Sequence, residues 1–212
     1  MRPTRSTYIY RGDAARKRRR IKNGLLAAGV LLAAGLVAGN RGPVTEARAE
    51  RASDGELDLA RNQLARANRI IAYSTTYRIP ADLAGAIHDI ALAEGIEPEL
   101  GFRLVRLESD FNERATSPVG AVGLTQVMPA TARYFDKAVT RERLYDRETN
   151  LRIGFRYLRA LIREYKGDLK LALLVYNRGP AAVEAALDMG LDPANGYDRI
   201  VMKGYRGHGT VD

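Results

Sequence analysis

Apolar positions along most of this chain recur at steps of three and four rather than two, the spacing of helices that bury one face. Ser53 followed three residues later by Glu56 has the form of a capping box, and Leu57, Ala60, Leu64, Ala67 and Ile71 trace an apolar seam behind it. Together they predict an N-terminal helix over 53–77, with too few heptads for a coiled coil. Pro80 suits the first turn of a second helix, where its missing N–H costs nothing, and Gly95 suits its end; Ile87, Ile90, Ala91 and Leu92 supply its apolar content. Pro98 opens a third helix, whose buried face is Leu100, Leu104, Val105 and Leu107 and which reaches Glu108. The glycine-spaced stretch Thr116 to Gln126, containing SPVGAVGLTQ, reads as a compact loop. Helical spacing returns over 129–135, 150–165, 168–177 and 180–189. No stretch sustains period-two alternation, so the expected fold class is all-α, built from about seven or eight short helices.

One segment departs from amphipathic spacing altogether. From Gly24 to Gly39 the chain is uncharged and apolar, directly behind the cluster RKRRRIK. As a helix this run would span about 24 Å, short of the roughly 30 Å hydrocarbon core, which favours a cleavable export signal. The long basic leader, and a small-residue site at Ala47-Arg48-Ala49 well beyond the apolar run, favour a retained anchor instead, and both readings stay open. In either case the basic cluster is expected to stay cytoplasmic and the remainder to be exported to the periplasm, attached to the inner membrane through residues 24–39 if they are uncleaved. The expected organisation is a basic tail over 1–23, the apolar segment over 24–39, a linker over 40–52, the N-terminal helix over 53–77 and a main domain over 78–212.

The formal charge of +9 changes little once it is located. Nine Lys or Arg against the single acid Asp13 within residues 1–23 account for +8 of it, leaving the rest of the chain near neutral. A domain so balanced lacks the basic face that phosphate binding needs, and no nucleic-acid partner is expected. The absence of cysteine excludes a disulfide framework and thiolate zinc, and His88 and His208 stand far apart without companion ligands, so no metal and no cofactor is expected.

The notable carboxylate is Glu108, at the end of a helix apolar enough to require packing. Partial desolvation there would raise its pKa towards that of an acid working near neutrality, although helix ends also carry ordinary exposed glutamates. Gly120 and Gly123 fit either a tight turn or a backbone passing close to a polar ligand. The segment LESDFNERATSPVGAVGLTQVMPATA, with Glu108-Ser109, Phe111, Ala115, Ser117, Gly120-Ala121, Gly123-Leu124, Gln126, Met128-Pro129 and Thr131-Ala132 in order, resembles the catalytic segment of the soluble lytic transglycosylases, a lysozyme-like family acting on peptidoglycan. Asn150, Gly154, Tyr157-Leu158, Tyr176-Asn177 and Gly179-Pro180 follow in the same order, so the resemblance covers about residues 78–200.

That resemblance implies a lysozyme-like helical domain cutting the bond between N-acetylmuramic acid and N-acetylglucosamine in peptidoglycan strands. Glu108 would be the acid and base, Ser117 and Gln126 would line the sugar groove, Tyr176 would hydrogen-bond near the acid, and Asn177 would hold its loop. Thr125 stands where the family usually has Met and Val175 where it usually has Ala, which implies a change of subsite shape. Ordinary glycosidases need two carboxylates across the bond. Asp110 and Glu113 would point away from Glu108 if the helix continued, so a single acid suits a substrate-assisted route ending in 1,6-anhydromuramyl products. A lysozyme-type hydrolase on the same fold and a catalytically idle glycan-binding component of an envelope machine are the alternatives.

Overall fold

The structure is a computed structural model that describes residues 43–211, with side chains from residue 53 onward. The basic tail and the apolar segment over 24–39 lie outside the described residues, and among the described helices none is long and apolar enough to cross a membrane. Those residues form eight α-helices and no strand: α1 Pro43–Tyr77, α2 Ala81–Ala93, α3 Pro98–Ser109, α4 Pro129–Phe135, α5 Arg147–Glu164, α6 Leu169–Arg178, α7 Pro180–Asp188 and α8 Tyr197–Met202. A short 3-10 turn, Glu142–Tyr145, precedes α5.

The chain divides into two compact units, Met1–Asn62 and Gln63–Asp212. In the first, the described residues belong to α1, and every side chain from Ser53 to Asn62 is exposed. The helix begins at Pro43, which corrects the expected linker over 40–52 and places Ser53 inside the helix rather than at a cap. The reason is compositional: PVTEARAERA puts Pro at the first helical position and then supplies Ala, Glu and Arg, all strong helix formers.

In the second unit α1 packs through Ile70, Tyr73 and Tyr77, and not through the predicted seam, of which Leu64 and Ile71 stay 63% and 60% exposed. The tyrosine rings stack on Phe102 at centroid distances of 4.1 and 5.2 Å. Aromatic faces bury more area than the Leu and Ala of the seam, so they decide which side of the helix turns inward.

The core lies between α2, α3, α5 and α6. α2 packs on α3 and α5, and α5 also packs on α4 and α6. Leu100, Phe102, Leu104 and Val105 of α3 meet Leu151, Phe155 and Leu158 of α5 and Leu173 to Val175 of α6, all essentially inaccessible. α5 starts at Arg147, three residues before the expected Asn150, because the Asp146 side chain caps it by accepting from Thr149 N at 2.9 Å. A smaller cluster of Val122, Val127, Ala132, Val139, Leu144 and Ile153 supports the loop that follows α3. The final helix, α8, lies against α3 and α6. It escaped the periodicity reading because six residues hold too few turns to show one.

Candidate active site

Glu108 is the penultimate residue of α3, and the helix stops directly behind it. Asp110 and Phe111 both take left-handed backbone angles (φ 48° and 64°), an uncommon conformation outside glycine, and Phe111 turns edge-on to Tyr77 at 5.4 Å. The acid therefore sits at a corner, half buried, and not along an open helix face.

One loop opposite this corner is held by three helices. Ser109 Oγ of α3 donates to Leu124 O at 2.8 Å; Asn150 of α5 accepts from Thr125 N at 2.8 Å; Tyr176 Oη of α6 donates to Thr125 O at 2.8 Å. Asn150 also donates to Val122 O and Leu144 O, both at 2.8 Å, so its whole amide is used inside the protein. The fit demands glycine twice. A Cβ on Gly123 would stand 2.6 Å from Leu144 O, and one on Gly154 would stand 2.3 Å from Thr125 Oγ1. Gly123 also takes φ 75°, so turn geometry and close approach both select it.

Thr125 is fully buried, its hydroxyl donating to Asn150 Oδ1 at 2.7 Å, and Val175 is equally inaccessible. Both departures from the family pattern thus fall in the interior. Replacing Asn150 by Ala strips four polar partners at once. The loss should be about 3 kcal/mol or more, or roughly 10 °C in melting temperature, readable by calorimetry, because each orphaned buried group costs on the order of 1–3 kcal/mol.

Gln126, also at positive φ (47°), turns its amide N–H groups back onto Gly123 O at 2.9 Å and Ala115 O at 3.3 Å. With Met128, Thr131, Tyr157, Tyr176 and Asn177 it lines a cavity of about 230 Å³. The structure brings Gln126, Tyr176 and Asn177 together there. Ser117 is not among the lining residues; its hydroxyl accepts from Ala121 N at 3.0 Å and closes the turn that carries Gly120.

The hydrogen-bond partner of Glu108 is a residue the sequence reading passed over. Tyr197 Oη of α8 donates to Glu108 Oε1, while Tyr176, expected to hydrogen-bond near the acid, donates to Thr125 O. Asn177 Oδ1 accepts from Asn195 Nδ2 at 2.8 Å and so ties the end of α6 to the loop leading into α8. The spacing of Tyr197, Ile200 and Val201 behind Gly196 was the available signal for α8. Nothing in it pointed to a carboxylate 89 positions away.

Burial pushes the Glu108 carboxyl up to about 7, against the lowering effect of the Tyr197 hydroxyl. The phenols of Tyr197 and Tyr176 are raised well above their ordinary value, first by burial and then by the Glu108 charge, so both remain protonated donors. Tyr197→Phe removes a hydrogen bond to the charged form, which is worth about 1.5–3 kcal/mol. The Glu108 midpoint should therefore rise by about one pH unit or more, measurable by carbon NMR of the labelled carboxyl.

Neither nearby acid is free to assist. Glu113 is held by Arg147, with Nη2 to Oε1 at 2.6 Å, and Arg147 also bonds Asp82 at 2.9 Å. Asp110 caps α3 beyond the corner and stays exposed.

Comparison with known proteins agrees with this geometry. Residues 85–190, half of the chain, match the family model of the transglycosylase SLT domain. The soluble lytic murein transglycosylase of Escherichia coli (strain K12) is 36% identical over 90 residues, a stretch covering 40% of this chain and 14% of that protein. Membrane-bound lytic murein transglycosylase C of Actinobacillus pleuropneumoniae serotype 5b (strain L20) is 34% identical over 128 residues, covering 54% and 34%. This chain therefore spans well under two thirds of the relatives it matches. The crystal structure of the 70 kDa soluble lytic transglycosylase of Escherichia coli superposes with a TM-score of 0.50 at 24% identity, over 66% of this chain and 28% of that one, a likeness of fold. With half of its residues matching that family model, the chain belongs to the transglycosylase SLT domain family.

Proposed function

We propose that this chain is a peptidoglycan lytic transglycosylase that cleaves the β-1,4 bond between N-acetylmuramic acid and N-acetylglucosamine, using Glu108 as acid and then base. The observation that carries the reading is the half-buried Glu108 carboxyl, brought to about 7 by desolvation and, among the described residues, bonded through Oε1 to Tyr197. An acid with its pKa near the working pH is half protonated and still a good donor, which is the compromise general acid catalysis favours.

The geometry divides the labour between the two carboxyl oxygens. Oε1 accepts from Tyr197, so Oε2 is the oxygen left to carry the proton. Glu108 Oε2 protonates the departing oxygen at C4 of N-acetylglucosamine as the bond to C1 of the muramic residue breaks. The N-acetyl carbonyl oxygen of that muramic residue bonds to C1 and holds the positive charge. The carboxylate then takes the proton from the muramic 6-hydroxyl as O6 attacks C1, releasing the N-acetyl oxygen and closing a 1,6-anhydro ring. The Tyr197 hydroxyl stabilises the carboxylate between the two steps.

Gln126 and Asn177, flanked by Tyr157 and Tyr176, would hold sugar units in the cavity they line. Ser117 supports the rim of this groove through its turn and is assigned no sugar contact. Action in the cell envelope follows from the substrate, with residues 24–39 as export signal or inner-membrane tether. Purified sacculi incubated with the protein should lose turbidity; sacculi left intact by a folded preparation would overturn the proposal.

A further inference from the structure

We infer that Arg103 is a positioning residue for the reaction, acting through α8 to hold the Tyr197 hydroxyl on Glu108. Arg103 lies on α3, five residues before the acid, and its Nη1 donates to Val201 O at 3.1 Å and Lys203 O at 2.7 Å. These carbonyls belong to the end of α8, where backbone acceptors have no partner within the helix and a cation is favoured.

α8 has six residues, too few to be stable alone, so its place depends on such ties. One end of α8 puts Tyr197 on Glu108, and the other is clamped by a guanidinium from the helix that carries Glu108. The two bonds close a ring through α3 and α8 that fixes donor and acid relative to each other. A second tie seats the guanidinium itself: Nε donates to Glu99 Oε1 at 2.6 Å, and the group lies 5.8 Å from the centre of the Tyr205 ring.

Lysine could not replace this arrangement fully. The planar fork reaches two carbonyls and Glu99 together, while an ammonium is a single point on a flexible stem. The titratable groups facing Glu108 are the phenols of Tyr197 from α8 and Tyr176 from α6; among the described residues no charged side chain is paired with it. Loosening α8 therefore reaches the acid through the Tyr197 bond.

The inference rests on Glu108 being the working acid, so its test uses a readout that does not need turnover. In the full chain, the Glu108 carboxyl is titrated by carbon NMR, and the basic limb of the pH–rate profile on sacculi is recorded beside it. Arg103→Gln should raise the carboxyl midpoint by about half a pH unit, since it weakens but does not delete a hydrogen bond worth about one unit or more. The basic limb should move upward with it. Arg103→Gln should add no shift to Tyr197→Phe, because the bond it serves is already gone, and Glu99→Gln, which loosens the guanidinium but spares its bonds to α8, should shift the midpoint less than Arg103→Gln does.

An unmoved midpoint in folded Arg103→Gln, or an equal shift in the Tyr197→Phe background, would overturn the inference. Should Arg103→Gln fail to fold, Arg103→Lys decides it, with a smaller upward shift expected and an unchanged midpoint counting against. A midpoint that shifts as expected in a protein that leaves sacculi intact would sink the proposed function and keep this coupling.

Discussion

Glu108→Gln should abolish cleavage of sacculi, by on the order of a hundred- to ten-thousand-fold, and at the same time stabilise the protein at neutral and alkaline pH. The loss follows because the amide keeps the shape of the carboxyl, and its carbonyl can still accept from Tyr197, but it has no proton to give. The gain follows from linkage. The folded carboxyl is raised from 4.5 to about 7, so between those values the folded state binds more protons than the unfolded one, and stability falls as pH rises through that window.

Above pH 7 the wild-type protein carries the full penalty, an upper bound of about 3 kcal/mol at 1.36 kcal/mol per unit. Below 4.5 it carries none. Calorimetry should therefore find Glu108→Gln melting about 5–10 °C above wild type at pH 8 and level with it near pH 4, where the Glu108 contribution vanishes. Equal melting temperatures at both values would mean that Glu108 is better solvated than the corner at the end of α3 implies. Retained cleavage by the folded variant would remove Glu108 from the chemistry altogether.

What the sequence revealed depends on where each interaction lies along it. α2, α3 and α6 were legible because Leu, Ile and Val at helical spacing record the core directly, and Pro80 and Pro98 mark where α2 and α3 begin. The loop over 116–126 was legible from its glycines, but not its reason. Gly123 is selected by Asn150 and Leu144 O, and Gly154 by Thr125, partners fixed only when α5 crosses the loop.

α1 was misread in two ways that share a cause. Periodicity traced the seam through Leu57, Leu64 and Ile71 and left Tyr73 and Tyr77 out of it, whereas stacking on Phe102 makes the tyrosines the inward face. The same reading took the charged 43–52 stretch for a linker, although Ala, Glu and Arg favour helix with nothing to bury. Tyr197 escaped because α8 is too short to announce itself and its partner lies on another helix. Glu108 was thus readable as a candidate acid only from α3 together with the segment that follows it, while the groups that tune it, Tyr197 and Arg103, became visible only with α8 in place.

The product of the reaction should be a 1,6-anhydromuramyl end with no reducible sugar. An inverting hydrolase needs a second carboxylate to activate water on the opposite face of the sugar, and the nearest acids in sequence are unsuited to it. Glu113 is neutralised by Arg147, which bonds it through Nε at 2.7 Å and Nη2 at 2.6 Å. Asp110 is the exposed C-cap of α3, at φ 48°. With Glu108 as the base for whichever nucleophile attacks, the intermediate is captured by the muramic 6-hydroxyl, which is tethered to the reacting carbon and so has a large effective concentration over external water. Digests of purified sacculi, analysed by mass spectrometry, should give muropeptides about 18 Da lighter than their hydrolysed counterparts and inert to borohydride, since the routes differ by one water. Products that take up borohydride and show the hydrated mass would require the pair between Glu113 and Arg147 to open during turnover. Glu113→Gln would then abolish activity, whereas for a transglycosylase it should leave the anhydro product in place.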